Sequence, residues 1–170
     1  MSYTRAEFIG LISEPCIESS INSKILASLI ITQAALESGN GNSRLTKEAN
    51  NLFGIKAGPS WNGPTVVLPT REVINGKDVT VDATWRVYPD WFSSIKDHSA
   101  LLTGAPRYAK VVGETDYKKA CQYIREAGYA TDPEYTNLLI QIIEANHLYI
   151  FDSIVNMRSN NIEQYPGCFH

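Results

Sequence analysis

Two hydrophobic periods alternate along the chain, and their order predicts its elements. Phe8, Ile9, Leu11 and Ile12 give residues 4–12 a helical spacing, and Pro15 is expected to end that helix. A stronger stripe follows. Leu26, Ile30, Gln33 and Glu37 fall at i, i+4, i+7 and i+11, with Ile25, Leu29 and Leu36 beside them, so residues 22–38 are predicted as a helix. Ser20 or Asn22 suits its start and Gly39 its end. Residues 39–64 are rich in Gly and Asn and read as loop. Residues 65–72 and 79–88 then read as two strands, and Asn75-Gly76 between them is a strong hairpin signal. From Trp91 the helical spacing returns, and helices are expected over 91–102, 116–127 and 133–146. Asp116 suits an N-cap, Gly128 a C-cap and Pro133 a first helical position. After Asp152 the chain turns polar, and no element is predicted there. Helices, one hairpin, then helices is the α+β order.

The length, 170 residues, fits one domain. Its extent is taken as 1–152, with 153–170 as a C-terminal tail. A hydrophobic share of 44% is enough for an ordinary core with no disulfide or metal staple. Charge narrows the partners. Fifteen Lys and Arg against eighteen Asp and Glu leave a net charge of −3, with no cationic surplus for phosphates or anionic lipid. Neither a nucleic-acid partner nor membrane insertion is expected. The longest apolar stretch, residues 25–31, falls far short of the ~20 residues a bilayer requires. The N-terminus has no cationic patch followed by an apolar core, so synthesis without a signal peptide is expected. Cys16, Cys121 and Cys168 are too scattered for a disulfide framework and are expected to be reduced, with Cys16 and Cys121 packed inside. His98, His147 and His170 lack paired ligand spacing. Each is expected at the surface or as a cap, with no zinc site, no other metal and no cofactor. That argues against a zinc amidase, and no cysteine has the setting of a thiol peptidase nucleophile.

Glu37 is the most informative residue. The stripe carries its carboxylate to the edge of a buried helix face, and Ser38-Gly39-Asn40-Gly41 leaves the next backbone approachable. A carboxyl against apolar walls has a raised pKa, which suits a general acid near neutral pH. The same position equally suits a helix-end glutamate in solvent or in an ion pair. Trp61, in a Gly/Pro-rich loop with little core nearby, is a candidate for stacking on a sugar. Trp85, Tyr88, Trp91 and Tyr108 read as packing residues.

Four ordered motifs carry a resemblance that covers the chain from about Arg5 to Asp152. Gln33-Ala34-Ala35-Leu36-Glu37-Ser38-Gly39 resembles the catalytic-helix motif of the bacterial cell-wall glucosaminidases of glycoside hydrolase family 73. Asn51-Leu52-Phe53-Gly54-Ile55-Lys56 is similar to the loop that follows it. Thr70-Arg71-Glu72, Asn75-Gly76 and Trp85-Arg86-Val87-Tyr88 resemble the family hairpin. Gly128-Tyr129-Ala130-Thr131-Asp132-Pro133 with Tyr135 resembles its late Tyr-Ala-Thr-Asp-Pro signature. One departure is Asn40, where the family often has Trp.

The resemblance implies a lysozyme-like fold, mostly helical, with a hairpin lobe flanking a cleft. It implies hydrolysis of the β-1,4 bond between N-acetylglucosamine and N-acetylmuramic acid in peptidoglycan glycan strands, at the bacterial cell wall. Glu37 would be the general acid and Glu72 the second carboxylate. Tyr129 would line the cleft near the N-acetyl group, and Asn51 and Phe53 would shape its floor. A phage-type lysin and an excised domain of a secreted wall hydrolase both fit the missing leader. A muramidase, a lytic transglycosylase and a silent glycan-binding module are the alternatives.

Overall fold

The computed structural model describes residues 2–164. It has seven α-helices and a two-stranded sheet: α1 (Arg5–Ser23), α2 (Ala27–Ser38), α3 (Arg44–Ala49), β1 (Thr65–Ile74), β2 (Lys77–Arg86), α4 (Trp91–Gly104), α5 (Tyr117–Glu126), α6 (Tyr135–Ala145) and α7 (Tyr149–Gln164). A short 3₁₀ turn, Pro106–Tyr108, follows α4. Cys168 and His170 lie outside the described residues.

Helix α2 is the axis of the molecule. Ten of its twelve residues are buried, so it is enclosed on all sides, where the sequence suggested one buried face. Helices α1, α4, α5, α6 and α7 all pack against it. Its N-terminus begins five residues later than expected. Lys24, in the left-handed conformation, ends α1 there by donating its N–H to the Ser20 carbonyl, so Ser20 and Asn22 belong to α1. No side chain of its own turn caps α2. The cap comes from α7: Asp152 Oδ1 accepts the Ser28 N–H at 2.9 Å. At the other end Gly39 closes α2 at φ 57°, as the sequence indicated.

Three further departures have physical causes. Helix α1 runs through Pro15. The hydrogen bond that Pro15 forgoes is to the carbonyl of Leu11, a residue more than half exposed and therefore reachable by water. Continuing the helix buries Cys16, Ile17 and Ser20. Within the expected loop 39–64, Ser43 accepts the Thr46 N–H and starts α3, a cap signal hidden among Gly and Asn. The polar tail is helical too as far as Gln164. Phe151 of α7 packs on the core, and Arg158 pairs with Glu14 of α1. Ser153, Asn156, Arg158, Asn160 and Asn161 face water, so their polarity marked an outer face and not a missing element. Pro133 stands in the turn before α6, not at its first position.

The hairpin forms as predicted, with ten antiparallel pairs from Thr65–Arg86 to Ile74–Lys77. Asn75 and Gly76 both take positive φ, 52° and 74°, as a tight turn of this hand requires. Leu68, Ala83 and Trp85 anchor its base with Leu45 and Val66. Its tip is bare, with Val73 70% exposed. Cys16 and Cys121 are buried free thiols, and Trp85, Tyr88 and Tyr108 are packed as expected. No single helix among the described residues is long and apolar enough to cross a membrane.

Candidate active site

The last turn of α2 emerges from the core at Glu37. Ser38 fixes the exit: its hydroxyl donates to the Ala34 carbonyl at 2.6 Å and accepts the Gly41 N–H at 2.7 Å. Gly41 must lack a side chain, because a Cβ there would lie 2.9 Å from the Phe8 ring. Helix α2 therefore stops one residue after Glu37 and folds back, leaving the carboxylate at the wall of an open cavity of about 390 Å³. That size suits a small-molecule or sugar site.

Phe53, Ile55, His98, Arg107 and Tyr129 share the cavity wall with Glu37. Their placement has local causes. Asn51 is buried beneath the loop, its Nδ2 donating to the Ile55 and Arg86 carbonyls at 2.9 Å each and its Oδ1 accepting the Ile55 N–H at 3.0 Å. It thus clamps the loop that presents Phe53 to the base of the hairpin. Tyr129 follows α5, beyond Gly128 at φ 84°. Its ring stacks on Tyr135 at 6.1 Å, and its hydroxyl makes no protein hydrogen bond among the described residues.

Glu37 is reached by solvent through the cavity mouth, yet protein crowds its carboxyl from behind. That desolvation raises its pKa, and a hydrogen bond from Tyr135 pulls it partly back. The Tyr135 hydroxyl donates to Glu37 Oε1 at 3.0 Å and accepts from Gln33 Nε2 at 3.2 Å. Burial, together with the neighbouring Tyr135 and Glu37, holds the Tyr129 hydroxyl well above its usual range, so it stays protonated.

Not every expected residue joins this cavity. Glu72 stands on β1, paired with Lys56, and does not line it. Trp61 is also elsewhere. Its Nε1 donates to the Pro64 carbonyl at 3.0 Å, Arg86 sits 4.6 Å from its ring, and Tyr88 meets it edge-on. His98 was expected at the surface but is 1% exposed. It occupies the inward face of α4 between Ile95 and Leu102, stacked 3.9 Å from Phe53, and burial lowers its pKa to about 3. His147 is exposed at the α6–α7 junction. A roomier cavity of about 480 Å³ lies between α1 and α4, lined by Glu18, Lys96 and several Ser, Thr and Asn side chains. Among the described residues, no three His, Cys, Asp or Glu side chains gather as a metal site.

The family described as glucosaminidase, mannosyl-glycoprotein endo-beta-N-acetylglucosaminidase, matches residues 13–148. The chain belongs to the glucosaminidase family. Peptidoglycan hydrolase FlgJ of Escherichia coli K12 is 37% identical over 160 residues, 92% of this chain and 51% of that protein. Exo-glucosaminidase LytG of Bacillus subtilis is 38% identical over 135 residues, 76% of this chain and 47% of that protein. The chain thus spans about half the length of these curated relatives. The catalytic domain of the autolysin Auto from Listeria monocytogenes superposes with a TM-score of 0.79 at 31% identity, covering 89% of this chain and 90% of that one. The lysozyme-like α+β architecture of the glucosaminidase domain is therefore the one the motifs implied.

Three residues of this candidate site carried too little signal to be assigned roles. Gln33 was visible on the stripe one turn before Glu37, and Tyr135 in the late motif, but nothing linked them across 102 residues. Arg107 lies in a 3₁₀ turn with no periodicity to mark it.

Proposed function

We propose that this domain is an endo-β-N-acetylglucosaminidase of peptidoglycan that cleaves the β-1,4 bond between N-acetylglucosamine and N-acetylmuramic acid at the bacterial cell wall. The observation that carries this reading is the Glu37 carboxyl, desolvated from behind, hydrogen-bonded by Tyr135 and open to a sugar-sized cavity. Relatives named peptidoglycan hydrolase and glucosaminidase support the substrate. Glu37 gives its proton to the glycosidic oxygen as the C1–O bond breaks. Phe53 shapes the floor beneath the sugar, and Asn51 holds the loop that carries it. The uncharged Tyr129 hydroxyl is free to bond the acetamido group.

Glu72 is the second carboxylate in this proposal. From its place on β1 it needs hairpin closure to reach the sugar. Once there it accepts a proton from the water that attacks C1 on the face opposite the leaving group, and the anomer inverts. Trp61, beside the hairpin base, borders the longer glycan chain.

Glu37→Gln tests the assignment. Loss of a general acid lowers turnover by about 10²–10⁴-fold, read as loss of wall lysis with an unchanged circular dichroism spectrum. Near-normal lysis by a verified variant would end the assignment of Glu37 as the acid, whereas intact walls under the unaltered protein would leave a glycan-binding module. Mass spectrometry of the products separates the neighbouring reactions. Internal fragments with a reducing N-acetylglucosamine support this enzyme, whereas reducing N-acetylmuramic acid indicates a muramidase and anhydro ends a transglycosylase.

One observation favours a second route. Tyr129 lines the cavity with Glu37 and Glu72 does not, which suits attack by the substrate's own N-acetyl group. NMR of the first-formed anomer decides. An α-anomer, with activity lost in Glu72→Gln, supports the Glu72-held water. A β-anomer with activity retained in Glu72→Gln assigns the chemistry to Glu37 and the acetamido group.

A further inference from the structure

We propose that Gln33 and Tyr135 form a directed hydrogen-bond chain that sets how tightly Glu37 holds its proton. The inference rests on Glu37 as the acid and adds two positioning residues to it. Gln33 is fully buried and Tyr135 nearly so, which is unusual for an amide unless it has a task. Its Nε2 donates to the Tyr135 oxygen at 3.2 Å, and that contact fixes direction. Facing a donor on one side, the Tyr135 hydroxyl sends its only proton to the other, to Glu37 Oε1 at 3.0 Å. A hydroxyl that accepts one hydrogen bond donates a stronger one, so Gln33 reinforces Tyr135. Gln33 Oε1, by contrast, is buried without a partner among the described residues. An apolar side chain would fill the same space without that penalty. The amide is therefore explained by its N–H.

The chain stabilises the carboxylate over the acid. It opposes the desolvation that favours the acid form and meets the new charge as the proton leaves for the sugar oxygen. Other titratable groups face the same cavity: Tyr129 from the α5–α6 connection, His98 from α4, and Arg107 and Tyr108 from the 3₁₀ turn. Of these side chains and Tyr135, only Tyr135 hydrogen-bonds the carboxyl. His98 stays neutral, and Glu72 and Lys56 pair outside the cavity.

The test is the pH profile of kcat/KM on soluble glycan fragments of peptidoglycan, measured on the whole chain. Activity requires protonated Glu37, so the alkaline limb reports its release. Tyr135→Phe removes the bond to the carboxylate and should move that limb upward by about one pH unit. The near-isosteric Gln33→Met should move it the same way by a smaller amount. Because Gln33 acts through Tyr135, the double variant should match Tyr135→Phe alone. A merely structural role would lower the rate at every pH and leave the limb in place. An unmoved limb in folded Tyr135→Phe would overturn the proposal. So would a further shift on adding Gln33→Met to that background. If Tyr135→Phe does not fold, the limb of Gln33→Met alone decides. Glu37→Gln runs alongside: if it is inactive, an unmoved limb defeats only the relay, and if it is active, the acid assignment falls and takes the relay with it.

Discussion

Glu37 works at a cost to the fold. Its pKa is raised by burial, so the folded state holds this proton more tightly than the unfolded chain does. Below the unfolded range, near pH 4.3 for Glu, both states are protonated and the group is neutral toward stability. As pH climbs through the raised folded value, the ionised carboxylate is left poorly solvated and stability falls. Glu37→Gln removes that charge and keeps the shape. The variant should therefore melt with the wild type at pH 4 and above it at pH 8. Thermal melts at the two values check this, and a lower melting temperature for the variant at pH 8 would contradict the sign. Glu37 was legible in the sequence because a carboxylate continuing an apolar stripe is conspicuous. His98 was not. A histidine held neutral by burial leaves the same mark in the sequence as a surface one, and only the inward face of α4 distinguishes them.

The hairpin is unevenly held. Its base is tied to the body by more than its own pairing. Ala57 N–H bonds the Thr84 carbonyl, Arg86 N–H bonds the Ile55 carbonyl, and Arg86 and Tyr88 both reach Asp97 of α4. Beyond Leu68 and Ala83 the strands are tied to the body by little more than the exposed Glu72–Lys56 pair, and a bare two-stranded ribbon is marginal. Hydrogen exchange should find the amides of residues 70–81 opening first, those of 65–68 and 83–86 later, and those of α2 last. Uniform protection along the ribbon would argue against a closing lip and against Glu72 reaching the sugar. The strands and turn were readable because alternation and Asn-Gly are local signals. The clamp at the base was not, since Asn51 and Asp97 meet their partners only after the chain has folded. Helix α3 was hidden for a related reason: a single capping serine in a Gly- and Asn-rich stretch has no periodic company.

At the scale of the whole molecule, one helix is both the axis of the core and the support of the proposed acid. The packing that centres the domain runs through α2, and Glu37 stands in its last turn. Its N-terminus is capped from 124 residues away by Asp152, whose own pKa is raised by burial against the pull of the Ser28 N–H. Asp152→Ala should lower unfolding free energy by about 1–2 kcal/mol in urea titrations, with activity falling only where the fold does. An unchanged midpoint would mean that α2 needs no outside cap. The family match closes at residue 148, one residue before α7 begins. Anyone transplanting this catalytic unit onto a new wall-targeting module would be tempted to cut there. Such a graft would carry every residue of the cavity and still discard the cap. A better seam lies after residue 164, so that all of α7 as described stays with the domain.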